Sequence, residues 1–188
     1  MTFWYPSKPI LLPSTAPVLE ELDVDPDWIA EPKMNGWRAL ASLGPDGRVQ
    51  IVTRENRPLE GLEDIRRRLQ RRLQPGLEID GELLFRGPHA TSPRYFPFDV
   101  PLVDGFPNPK PFEQRRADLL SLLGPCKRGP LTIPRQVQKD KIRFLGDVLS
   151  DPDIEGIVLK YRASGVHLSL RASALNPQWF KVKESYHR

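Results

Sequence analysis

Twenty-one prolines are spread through 188 residues, and they disfavour long uninterrupted helices. A proline inside a helix removes a backbone donor and clashes with the preceding turn. The chain should therefore be built from many short strands joined by stiff loops. Pro6, Pro9, Pro13 and Pro17 interrupt the apolar N-terminus, and no basic stretch precedes it. Neither a signal peptide nor a membrane span is expected, which makes the expected location cytoplasmic. Residues 1–27 read as an extended, proline-rich lead-in ending in Asp23-Val24-Asp25-Pro26-Asp27. The whole of 1–188 reads as a single domain, long enough to bury a core.

Period and punctuation place the elements. Residues 28–32, 36–43 and 48–53 read as strands, and Gly44-Pro45-Asp46-Gly47 turns the last two into a hairpin. In 61–73, Leu62, Ile65, Leu69 and Leu73 share one helical face, with five arginines elsewhere (Arg66, Arg67, Arg68, Arg71, Arg72). Those arginines suit phosphate, but a solvated face explains them as well. Gly76–Phe85 reads as a strand that puts Glu78, Asp80 and Glu82 on one face, where a metal, a sugar hydroxyl or arginines must compensate them. Tyr95–Val103 and Ile154–Lys160 read as strands, 111–123 and 137–149 as helices, and 124–136 as loop with a short strand. The irregular stretch 161–177 carries Arg162, His167 and Arg171, and the strand Trp179–Lys183 closes the set.

Lys plus Arg exceeds Asp plus Glu by 28 to 24, a mild basic balance that permits a nucleic-acid or nucleotide partner. Cys126 is the single cysteine, which excludes an intrachain disulfide and a cysteine metal site. His89 and His167 have no metal or general-base spacing, and Trp37 and Trp179 read as packing residues. Glu31-Pro32-Lys33-Met34-Asn35-Gly36 places a lysine at a bend between strands, with proline before it and glycine after. A lysine can act as a nucleophile where nearby cations or desolvation favour its neutral amine.

The ordered set of short motifs resembles the covalent nucleotidyltransferase superfamily of ATP-dependent DNA ligases, RNA ligases and mRNA capping enzymes. Its K-x-D-G motif stands here as Lys33-Met34-Asn35-Gly36, with Arg38 behind it. Thr53-Arg54, Asp80-Gly81-Glu82, Phe98-Asp99, Glu155-Gly156-Ile157-Val158-Leu159-Lys160 and Lys181-Val182-Lys183 follow in the family's order. The resemblance implies an α+β fold: two antiparallel β-sheets with flanking helices, ATP-grasp-like, with the nucleotide in the groove between them. It implies that Lys33 attacks the α-phosphate of ATP to give a lysyl-AMP. AMP would then pass to a 5′-phosphate of nucleic acid, and a 3′-hydroxyl would displace it. Mg²⁺ or Mn²⁺ would sit on Glu155 and Glu82. Phe98 would stack on adenine, Glu31 would meet its edge, and Arg38 and Arg54 would lie near ribose and phosphates. Lys181 and Lys183 would stabilise phosphoryl charge. Lys160 is included, although strict alternation sets it on the face opposite Glu155.

Two departures accompany the match. Asn35 replaces the usual aspartate, and no OB-fold domain follows Lys183, so a separate partner domain is expected to stand in for it. Pro111-Phe112-Glu113-Gln114-Arg115-Arg116 and the C-terminal residues look most like DNA ligases. The expected substrate is a nicked DNA, with RNA ends the alternative and a monomer the expected state. A nucleotide- or nucleic-acid-binding module without turnover is the rival of another class.

Overall fold

The computed structural model describes residues 5–85, 92–124, 126, 128–169 and 173–183. In chain order the elements are β1 (Tyr5–Pro6), β2 (Lys8–Leu12), α1 (Val18–Val24), β3 (Trp28–Met34), β4 (Trp37–Leu43) and β5 (Val49–Thr53). Next come α2 (Glu63–Gln70), β6 (Leu77–Leu84), β7 (Arg94–Val103), β8 (Phe106–Pro107) and α3 (Phe112–Leu123). The last are α4 (Lys141–Val148), β9 (Ile154–Tyr161), β10 (Leu168–Ser169) and β11 (Leu175–Lys183). Among the described residues β5-β4-β6-β7-β8 form one sheet, antiparallel throughout, and β2-β11-β9-β3 a second, in which only β2 and β11 run parallel. The α+β arrangement expected from the sequence is the one observed.

Each sheet is apolar on its outer face and polar on its inner one, because strand side chains alternate with period two. Ala39, Ala41, Ile51 and Ile79 of the five-stranded sheet pack with Ile65 and Leu69 of α2 and Leu119 and Leu123 of α3. Ala30, Ile157, Leu159 and Val182 of the four-stranded sheet pack with Leu19 and Leu22 of α1 and Phe144 and Val148 of α4. Each such buried Leu, Ile or Phe contributes roughly 1.5–3 kcal/mol by leaving water. The helices cover the outsides, and a polar cleft is left between the inner faces.

Several elements differ from their sequence-based reading. Lys33 lies on β3 rather than at a bend; the chain bends at Asn35 and Gly36. A Cβ at Gly36 would sit 2.5 Å from the Leu83 carbonyl oxygen, so this turn packs against β6 without room for a side chain. The N-terminal stretch is extended only as far as Leu12, which completes the edge strand of a sheet, and Val18–Val24 is helical. The helix expected over 137–149 begins at Lys141, because Val137 bridges Ala30 of β3 and Asp140 takes a positive φ of 53°. The short strand expected in 124–136 is reduced to a single bridge, Leu131 to Tyr95. Trp179 is buried as expected, but Trp37 is 62% exposed, with its ring centre 5.7 Å from that of Phe85.

β3, β9 and β11 set the site through their register. Lys33 and Lys183 both pair with Gly156, one from each side. Glu31 and Lys181 both pair with Val158, and Ile29 and Trp179 with Lys160. These three rows share one face. The pairing skips a residue between Lys33 and Met34, which face Gly156 and Ile154, so Glu155 is extra and bulges. Gly156 has φ 149°, and a Cβ there would lie 2.0 Å from the Val182 carbonyl oxygen. Gly156→Ala should therefore destabilise the fold by at least ~1–3 kcal/mol. Thermal unfolding followed by circular dichroism should show a midpoint lower by roughly 5 °C or more.

Candidate active site

The cleft has a volume of about 270 Å³ and draws its lining from both sheets. Lys33, Glu31, Val158, Lys160, Trp179 and Lys181 come from the four-stranded sheet, Arg38, Glu82 and Phe98 from the five-stranded one, and Arg54 from the turn just after β5. Lys8 and Pro9 of β2 complete one side.

At one end, the bulged Glu155 takes two lysines. Its Oε1 accepts from Lys33 Nζ, and its Oε2 accepts from Lys183 Nζ at 2.6 Å. Burial acts to raise the Glu155 carboxyl, but the hydrogen bonds from Lys183 and Lys33 outweigh it and hold the group below the usual carboxylate range. The alternation that separates Glu155 from Lys160 in a regular strand fails here, because the bulge turns Glu155 onto the cleft face. Burial first, and then the positive charges of Lys33, Lys183 and Lys8, hold the Lys181 ammonium below its ordinary range.

At the other end, Lys160 is 2% exposed and donates to Glu31 Oε2 at 2.5 Å. Its ammonium lies 4.4 Å from the ring centre of Phe98, 4.5 Å from Phe112 and 4.3 Å from Trp179. Ring faces replace part of the hydration that burial removes. Gln136 donates to Glu31 Oε1 at 2.6 Å, and Arg116 Nη1 lies 3.5 Å from the same oxygen. Burial works to raise Glu31, yet Lys160 and then Arg116 outweigh it and hold its carboxyl low.

The inner face of β6 needed compensation for its acids, and Arg38 supplies it for Asp80. Arg38 Nε donates to Asp80 Oδ1 at 2.9 Å and Oδ2 at 3.1 Å, and Nη2 donates to the same carboxylate. Its Nη1 donates to the Ser7 carbonyl at 2.9 Å. Arg38 thus borders the cleft with its donors already engaged. Arg54 differs: Nη2 pairs with Glu55 at 2.9 Å, while Nε is buried with no hydrogen-bond partner among the described residues. Asp99, next to Phe98, faces away from the cleft chemistry and pairs with buried Arg115, Nε to Oδ1 at 2.7 Å and Nη2 to Oδ2 at 3.0 Å.

Of the residues that the resemblance assigned to catalysis, nucleotide or metal, all except Lys183 and Glu155 line the cleft itself, and those two join Lys33 at its end. The α2 arginines do not reach it; Arg66 and Arg67 pair at 3.6 Å with Glu63 and Asp64 of their own helix. His167 Nε2 lies 3.1 Å from Gln178 Oε1, and His89 and Arg171 fall outside the described residues. Sequence reasoning missed Lys8, Gln136 and the contact of Arg116 with Glu31. No motif marks them, and each reaches the site only through long-range packing.

Among the described residues no three His, Cys, Asp or Glu side chains form a ready cage for a metal. Mg²⁺ ordinarily takes one or two carboxylates together with substrate phosphates, so Glu155 with Glu82 is a donor set that fits it. Burial, with Asp80 adding to it, raises Glu78 to about 7. Burial also raises Glu82 to about 7, against the pull of Lys33 and Arg38. The unfolded chain releases these protons near the model-peptide value of 4.5. The folded chain keeps them longer, so the contribution of these two groups to stability is fully present below about 4.5 and is lost as pH rises through about 7. Glu78→Gln, outside the cleft, should flatten that decline and stabilise the protein above pH 7 by roughly 1–3 kcal/mol. Urea unfolding across this pH range measures it.

No protein-family model matches the chain, and no curated protein matches it by sequence. Solved structures do match. A mycobacterial DNA ligase D complexed with ATP aligns with a TM-score of 0.72 at 18% identity, over 96% of this chain and 60% of that one. An archaeal ATP-dependent RNA ligase gives 0.60 at 20% identity, over 95% and 48%. A Chlorella virus DNA ligase-adenylate gives 0.58 at 20% identity, over 95% and 69%. The chain spans about 60% of the ligase D chain's length. The likeness establishes the fold, that of the adenylation domains of ATP-dependent DNA and RNA ligases.

Proposed function

We propose that the chain is the adenylation domain of an ATP-dependent polynucleotide ligase, acting on nicked DNA. The observation that carries this reading is the Lys33–Glu155–Lys183 arrangement at the end of a cleft whose Arg54 Nε has no partner among the described residues. A buried donor without an acceptor costs free energy until a ligand supplies one. The ligase folds matched here include one with ATP bound and one already adenylated.

In the proposed reaction, the Lys33 Nζ lone pair attacks the α-phosphorus. The bond from that phosphorus to the bridging oxygen breaks, pyrophosphate leaves, and Nζ loses its proton. A 5′-phosphate oxygen then attacks the same phosphorus and releases Lys33. A terminal 3′-hydroxyl finally displaces AMP and closes the phosphodiester. A divalent cation on Glu155 and Glu82 would supply charge for the phosphoryl oxygens and compete with Lys33 for the carboxylate. Lys181 and Lys183 face those oxygens from β11, where preorganised cations act strongly in a partly dry cleft. Phe98 offers a ring to the base, and Glu31, held ionised between Lys160 and Gln136, offers acceptors to its edge. Asn35 keeps a hydrogen-bonding side chain without the charge of aspartate, and its backbone N–H donates to the Asp153 carbonyl at 2.8 Å. The need for ATP as co-substrate fits a cytoplasmic location.

Incubation with Mg²⁺ and α-labelled ATP should leave label on the denatured protein, with an intact mass raised by one AMP. Lys33→Ala should abolish it completely, because no other amine occupies that position. Label from GTP instead would indicate a capping reaction. Absence of any adduct, with no AMP in the starting mass, would favour a binding module. A nicked DNA duplex and its RNA counterpart, offered to the charged protein, distinguish the two substrates.

A further inference from the structure

We propose that Lys8 and Lys181 form a second phosphate-holding pair in the cleft, making the N-terminal strand part of the binding site. The inference rests on the cleft being the nucleotide site proposed above. Both lysines line the cleft beside Lys33. Glu155 serves Lys33 and Lys183, and among the described residues neither Lys8 nor Lys181 has a carboxylate within ion-pair distance. Their charges oppose one another, since Lys8 is among the cations that hold the Lys181 ammonium down. Two ammonium groups that line one cleft without a contacting carboxylate repel each other until an anion arrives, and a phosphate accepts from both.

Lys8 is also placed by the backbone. Its N–H donates to the Ala174 carbonyl at 2.8 Å, and β2 runs beside β11 with Lys8 opposite Leu175. Just before it, the Ser7 carbonyl accepts from Arg38 Nη1 at 2.9 Å. The segment is therefore tied to both walls of the cleft. The pairing of β2 with β11 shifts register between Asn176 and Phe180, and within that irregularity Trp179 turns toward the cleft beside Pro9.

The phosphate could belong to the nucleotide or to a nucleic-acid end, and two assays separate them. Lys8→Met and Lys8→Arg are compared with wild type for adduct formation over a range of ATP concentrations. Each is then charged with AMP and followed through a single transfer to a 5′-phosphorylated nick. A roughly tenfold rise in the ATP needed by Lys8→Met, restored by Lys8→Arg, assigns the pair to the nucleotide phosphates. A loss of similar size confined to the transfer assigns it to the nucleic-acid phosphate. Wild-type behaviour of Lys8→Met in both assays overturns the inference and leaves the ligase reading intact. Failure of the wild type itself to charge removes both.

Discussion

The register of three adjacent strands is the constraint on which the site depends. Because β3, β9 and β11 pair in step, the residues opposite Gly156 are both lysines, and those opposite Val158 are Glu31 and Lys181. A slip of one residue in either pairing would turn these charges into the apolar layer against α1 and α4. The same alternation that buries Ile157 and Leu159 thus holds Lys33, Lys181 and Lys183 toward the cleft. Core packing and site geometry are two faces of one set of hydrogen bonds.

Charge balance in the cleft follows from that geometry. Glu155 can serve two lysines only because the bulge at Gly156 lifts it out of strict alternation. Glu31 is shared between Lys160 and Arg116, again one carboxylate between two cations. Asp80 is matched by Arg38, and Asp99 by Arg115. Asp80 and Asp99 of the five-stranded sheet are thus neutralised internally, and the four-stranded sheet keeps a surplus of positive charge facing the cleft. Such a surplus is what a polyphosphate would neutralise, whereas it would be a liability in a purely structural groove.

The two ends of the cleft are held by different interactions. The end around Lys160 is packed against Phe98, Phe112 and Trp179, with the Trp179 indole donating to the Ser164 hydroxyl at 3.0 Å. Close-packed aromatic walls resist rearrangement. The end around Lys33 is held by ion pairs between half-buried groups, which solvent and a bound cation can exchange.

From the sequence alone, the period-two runs around Asp80 and Lys181 already determined which residue types would share faces, and the proline content determined short elements. The turn at Gly44–Gly47 and the amphipathic face of α2 were equally legible, because both are local. Only the tertiary structure decided that Glu155 and Lys160 share a cleft, since a bulge depends on what the neighbouring strands oppose. It alone decided that Arg38 is engaged by Asp80, that Val137 bridges β3 instead of beginning a helix, and that Trp37 is exposed. It alone brought Lys8 to the site. The physical reason is the same throughout: alternation and turn preference act over a few residues, whereas pairing across strands joins residues more than a hundred positions apart, and no local pattern encodes that partner.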